Sequence, residues 1–92
     1  MDITIRIRGP IAKRLNNSVY TIDIGKEISV CEILQLFIER EKDVKEIWST
    51  PKRLDCESMI LVNDADIGLI GGLNASLKEG DVLTILPLVH GG

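Results

Sequence analysis

The residues with the most distinctive chemistry stand at the end of the chain, where Gly91 and Gly92 follow Leu88, Val89 and His90. Two residues without side chains put a carboxylate at the tip of an extended, sterically thin arm. Chain ends are usually polar and frayed, whereas this arm continues directly from the apolar run Val82-Leu83-Thr84-Ile85-Leu86. A glycine pair at two given positions arises by chance at about 0.5%, so its meaning depends on the body that carries it. His90 is the single histidine. General acid–base work needs a base held in place, and a tail offers no such positioning, so His90 reads as a contact residue and not as a proton carrier.

The other reactive residue types form no comparable pattern. Asp64 and Asp66 follow an apolar stretch, lack the glycine and glutamate positions of a calcium loop, and fit ordinary turn chemistry. Gly68, Gly71 and Gly72 are not followed by the Gly-Lys-Ser/Thr of a phosphate loop. Cys31 and Cys56 have no Cys-x-x-Cys spacing, which argues against a zinc site or a disulfide framework; Cys31 is expected as a small core residue and Cys56 as an exposed thiol in a loop. Arg6, Arg8, Lys13 and Arg14 make a local basic patch, read as a solvated strand edge and loop. With a net charge of -3 and a pI near 5.0, no electrostatic footprint for direct nucleic-acid binding is present. No apolar run approaches the ~20 residues of a membrane span, and the first residues alternate charge with isoleucine in place of a signal peptide's apolar core. The expectation is a cytoplasmic protein with no membrane partner.

The elements that must position the tail follow from periodicity. Ninety-two residues are enough for one core, and with aromatics at 3% that core must be aliphatic. Residues 3–8 alternate, with Ile3, Ile5 and Ile7 on one face and Thr4, Arg6 and Arg8 on the other, as in a half-buried strand. Residues 18–24 alternate again and complete a hairpin. The period then changes. Ser29 and Glu32 form a capping-box pattern, flanked by Ile28 and Ile33 as a hydrophobic staple, and Val30, Ile33, Leu34 and Phe37 recur at helical spacing. Val44, Ile47 and Trp48 suggest a short second helix, capped by Asp43 with Glu46 and stopped by Pro51. Lys52 to Ser58 reads as a surface loop, Met59 to Val62 as a strand closed by an Asn63-Asp64 turn, and Ile67 to Ile70 as a brief edge strand. Leu73 to Glu79 reads as a helical turn ending at Gly80. Val82 to Leu86, apolar on both faces, is expected as a central strand, beside the first. This is an α+β two-layer domain: a mixed sheet of about four to five strands packed on one main helix.

That element order, with its glycine-pair ending, resembles the ubiquitin-like β-grasp proteins. Within them the C-terminal third is most similar to the ubiquitin-related modifier and the archaeal small modifiers, which are sulfur carriers. The likeness is carried by Leu61-Val62-Asn63-Asp64-Ala65-Asp66, by Gly72-Leu73 and Leu77, by Gly80-Asp81-Val82, and by Leu88-Val89-His90-Gly91-Gly92. Two positions depart from it. Ile67 stands where the modifiers carry a tryptophan, and Pro87 is more similar to the proline-containing tail of the small subunit of molybdopterin synthase.

The resemblance implies a β-grasp domain over residues 1–87 and an extended tail over 88–92. An adenylating protein like the ubiquitin-activating enzymes uses ATP to activate the Gly92 carboxylate, and a sulfur donor or sulfurtransferase converts it to a thiocarboxylate. Gly92 supplies the reacting carboxylate, and Gly91 the clearance for a narrow channel. Leu88, Val89 and His90 lie along that channel. Leu86, which the period of two turns away from the helix while Leu83 and Ile85 face it, adds an apolar docking patch continuous with the tail. The chain is then no enzyme: it has no catalytic residues, metal or bound cofactor of its own, and with Gly92 already terminal it needs no processing protease. Sulfur goes to tRNA thiolation, or the tail is joined to lysines of target proteins. The alternatives are the small subunit of molybdopterin synthase, inserting its tail into a large subunit, and a β-grasp interaction module that is never activated.

Overall fold

Alternation in the first strand sets the layers. In a computed structural model, which describes residues 1–88, strand β1 (Asp2–Ile7) buries Ile3, Ile5 and Ile7 and turns Thr4 and Arg6 outward. Strand β2 (Val19–Asp23) pairs with it antiparallel, Ile5 opposite Tyr20 and Ile3 opposite Ile22. The hairpin connection holds a 3-10 turn over Pro10–Arg14. Beyond the two-residue strand β3 (Ile28–Ser29), helix α1 (Val30–Arg40) begins at a complete capping box. The Glu32 N–H donates to Ser29 Oγ and the Ser29 N–H to Glu32 Oε1, both at 3.1 Å. Helix α1 buries Val30, Ile33, Leu34, Phe37 and Ile38 against the isoleucines of the sheet. The Phe37 ring meets Tyr20 edge-on, with centroids 4.8 Å apart. Cys31 is only half-buried beside that stripe.

Short helices α2 (Lys42–Ile47) and α3 (Pro51–Glu57) follow. Val44 and Trp48 are buried as expected, but α2 takes its cap from Glu41 and has no side-chain capping bond from Asp43 or any other residue. Of the stretch 52–58, expected as a loop, Ser58 opens the next strand and residues 52–57 belong to helix α3. Pro51 begins it: at the first helical turn its missing N–H costs nothing and its fixed φ fits the helix. Thr50 Oγ1 accepts the Arg53 N–H, Arg53 pairs with Glu57 one turn on at 2.9 Å, and Leu54 is fully buried. Cys56 therefore lies exposed on a helix and not in a loop.

Strand β4 (Ser58–Val62) turns through Asn63 and Asp64, both at positive φ, into strand β5 (Ala65–Asp66). That is the two-residue hairpin geometry for which Asn and Asp are favoured. The edge strand is thus Ala65–Asp66. Ile67–Leu69 is a 3-10 turn with Asp66 Oδ1 accepting the Gly68 N–H at 2.8 Å, because the Asp66 side chain offers the backbone a local alternative to the ladder. The helical turn expected over 73–79 is a 3-10 turn at Gly72–Asn74 followed by strand β6 (Ser76–Leu77), which pairs with β3. Leu77 supplies the reason: fully buried, it is held at a strand position opposite Ile28.

Strand β7 (Val82–Pro87) closes the sheet. The strand order is β2-β1-β7-β4-β5, with β7 parallel to β1 and antiparallel to β4. The first and last strands are therefore neighbours at the centre. Five strands on one main helix form the β-grasp arrangement.

Candidate functional site

The start of β7 is pinned and its far end points the chain outward. At the start, Asn63 Nδ2 donates to Asp81 Oδ1 at 2.7 Å and Asn63 Oδ1 accepts the Val82 N–H at 2.9 Å. Asp81 Oδ2 also accepts the Lys78 N–H at 2.7 Å. Along the strand, Leu83 and Ile85 are fully buried while Thr84, Leu86 and Pro87 are half-buried. Leu86 thus faces away from the helix, as its parity requires.

At the outgoing end the two edges of β7 behave differently. Toward β1 the last bond runs from the Arg8 N–H to the Ile85 carbonyl, 3.0 Å. In a parallel ladder the next donor, reaching back to the Arg8 carbonyl, belongs to residue 87, and proline has no N–H. Pairing with β1 therefore ends there. Toward β4 the ladder continues, with Ser58 opposite Pro87 and the Leu88 N–H donating to the Glu57 carbonyl at 2.9 Å. The root of the tail hangs from the end of α3 and the start of β4, and is released on the other side.

Around that exit lies an apolar surface. Leu86 stands opposite Met59 of β4, which is 40% exposed, and Leu88 is 57% exposed. Next to it on the outer sheet face, a shallow cavity of about 410 Å³ is lined by Arg6, Arg8, Leu61, Thr84 and Leu86, with Asn63 and Asp64 at the end near Val82. Of the residues expected to bind a partner, Leu86 and Leu88 are brought together here. Val89, His90, Gly91 and Gly92 lie outside the described residues.

Sequence reasoning missed three contributors: Met59, the Glu57 carbonyl, and the arginines. Met59 was within reach of the same parity argument that turned Leu86 outward, since it alternates with the buried Ile60. The arginines were visible as a basic patch, but which cavity they line depends on the strand order. Nothing in the side-chain pattern announces a backbone carbonyl as an anchor.

The groups with displaced pKa values lie elsewhere. Burial and the charge of Glu41 push the Tyr20 hydroxyl up, and hydrogen bonds from Ser29 hold the Glu32 carboxyl down. Among the described residues, no three His, Cys, Asp or Glu side chains gather to hold a metal ion, and no helix is long and apolar enough to cross a membrane.

Known proteins resemble this chain in sequence and in fold. The chain is similar to the sulfur carrier protein CysO of Mycobacterium tuberculosis, 46% identical over 44 residues, which are 48% of this chain and 47% of that protein. The match spans about half the length of the curated relatives. Among solved structures, a chain in the crystal structure of the Amycolatopsis orientalis BexX/CysO complex is 30% identical. It covers 98% of this chain and 99% of its own, with a TM-score of 0.68. SAMP1 from Haloferax volcanii shares the fold at a TM-score of 0.79 and 16% identity, covering 100% of both chains. The model of the ThiS family matches residues 13–92, and the chain, a ubiquitin-like β-grasp protein, belongs to that family.

Proposed function

We propose that this protein is a sulfur carrier whose own reacting group is the Gly92 carboxylate. Attack of a carboxylate oxygen on the α-phosphate of ATP, in the site of an activating enzyme, expels pyrophosphate and leaves an acyl-adenylate. A persulfide sulfur on a donor protein then displaces AMP. Cleavage of the resulting S–S bond by a thiol leaves the sulfur on Gly92 as a thiocarboxylate, with a disulfide on the donor side. The chain is a reactant throughout and contributes delivery: a rigid handle, a root held at Glu57, and two glycines that clear a narrow channel. Val89 and His90 serve as contact residues for the partner.

The observation that carries this reading is the extent of the family match, which takes in the tail through Gly92. It is supported by the similarity to a protein named a sulfur carrier and by a full-length relative solved in a complex with another protein. Sulfur transfer to tRNA and attachment to lysines of target proteins share the same activated terminus.

The test is ATP–pyrophosphate exchange catalysed by the adenylating enzyme of the same cell. Exchange should require this chain and be abolished when Gly92 is deleted. Exchange that persists without Gly92, or fails to occur with the intact chain, overturns the reading. Stable co-purification with a large synthase subunit would move the acceptor from tRNA or lysine to molybdopterin.

A further inference from the structure

Arg6 on β1 and Arg8 just past its end are two residues apart, both exposed, and both line the cavity on the outer sheet face. Arg6 is opposite Thr84 in the parallel register, and Arg8 is bonded through its backbone to Ile85. Because β1 and β7 run the same way, Arg8 lies only about 7 Å, two strand residues, behind the point where Leu88 leaves the sheet. The same pair also borders a second hollow of about 220 Å³ against Ser18 and Val19, and Val19 is 54% exposed.

This is a positive ridge on a chain of net charge -3, and among the described residues no carboxylate pairs with it. The ion pairs among the described residues join Met1 to Asp23 and Arg53 to Glu57; neither Arg6 nor Arg8 has a described carboxylate within 4.0 Å. The one carboxylate lining the larger cavity, Asp64, belongs to the turn at the Val82 end, away from Leu86 and the tail. A strand that needed only solubility would be served by any polar residues here. Two planar guanidinium groups flanked by apolar Leu61, Leu86 and Val19 match carboxylates presented on a partly apolar surface.

We propose that Arg6 and Arg8 recognise acidic side chains at the mouth of the activating enzyme's channel and so select which adenylating protein can use this carrier. The inference rests on the sulfur-carrier reading and adds to it the charge of the partner's surface. Two positions are too few to hold a polyphosphate backbone against the chain's negative charge, so the occupant is an acidic protein surface. In this role the arginines are positioning residues, acting on the partner's acidic side chains and not on the reacting atoms.

The experiment is pyrophosphate exchange with the cell's own adenylating enzyme, run at low and high salt, comparing the wild type with the R6E/R8E and R6K/R8K doubles. Circular dichroism establishes that each is folded. Charge reversal should raise the KM for the carrier by roughly 10- to 100-fold at low salt with kcat little changed. Rising salt should weaken the wild type and not the reversed variant, and the lysine pair should recover most of the loss. A KM that is the same for wild type and R6E/R8E overturns the proposal while leaving the sulfur-carrier reading intact. An unchanged KM combined with loss of binding to bulk tRNA would assign the pair to RNA and overturn it as well. Absence of exchange with the wild type removes the sulfur-carrier reading and this inference with it.

Discussion

Pro87 is the residue at which β7 stops pairing with β1. Its lack of an N–H leaves the Arg8 carbonyl without the ladder donor that any other residue would supply, while Leu88 stays bonded to Glu57. Replacing Pro87 with alanine adds one bond worth about 0.5–1.5 kcal/mol and frees the unfolded chain at a cost of about 0.4–1 kcal/mol. The two nearly cancel, so thermal stability should hardly move. Amide hydrogen exchange is the sensitive probe: the new N–H at position 87 should be protected as strongly as that of Ile85. Rapid exchange there would mean that β1 and β7 part for another reason. Leu86 is the complementary case. Substituting Leu86 with threonine keeps a strand-forming residue and removes the outward apolar surface. Stability should change by less than about 1 kcal/mol, while the KM for the carrier in pyrophosphate exchange should rise about tenfold. The direction of Leu86 was legible in the sequence because parity along a strand is a geometric necessity. The anchor at Glu57 was not, because it is a main-chain atom that any residue would present.

At the scale of elements, the two capped helices separate what local patterns reveal from what they conceal. The α1 capping box was readable because two side chains at fixed spacing mark it, and both bonds are present. Ser29→Ala should cost about 1 kcal/mol of folding stability, measured by urea denaturation. The Glu32 carboxyl, held below its ordinary value by the Ser29 backbone and side-chain bonds, gives the cap a pH signature. A depressed folded pKa means its contribution is complete above the ordinary carboxylate value and disappears as pH falls through the lower folded value. An acid titration of stability should therefore fall less steeply in Ser29→Ala than in the wild type; parallel curves would exclude the cap as the cause. Helix α3 is concealed because a proline reads locally as the end of one helix, whereas Thr50 and Pro51 together start another. Thr50→Ala should cost about 1 kcal/mol and, because Glu57 ends the same helix, should also speed exchange of the Leu88 amide that Glu57 holds. A slow Leu88 amide in that variant would separate the tail root from α3.

For the whole molecule, the sheet order makes the long-range connection. Strand β7 is placed between β1 and β4, so its buried face is fixed by the core and its direction by both neighbours. Phe37 stands at the centre of that core, fully buried and in edge contact with Tyr20. Phe37→Ala should cost about 3–5 kcal/mol, a large part of the 5–15 kcal/mol typical of a domain. The measurable consequence is a large fall in the urea midpoint, and, on the proposed sulfur-carrier function, loss of pyrophosphate exchange with it. The overall plan, isoleucine strands against an apolar helix stripe, was legible from periodicity, and the central place of β7 from its two apolar faces. The short elements between 65 and 80 were not: their geometry is set by Asp66 capping, glycine turns and the long-range pairing of Leu77 with Ile28, none of which a local pattern encodes.

The claim on which the rest depends is that Gly92 carries sulfur. Intact-mass spectrometry of the protein isolated from the cell that makes it, with the terminal peptide sequenced by fragmentation, tests it directly. The account predicts a species in which one sulfur replaces one oxygen at the Gly92 carboxyl, absent when the activating enzyme is deleted. A terminus that carries only oxygen while that enzyme and its sulfur donor are active would contradict it.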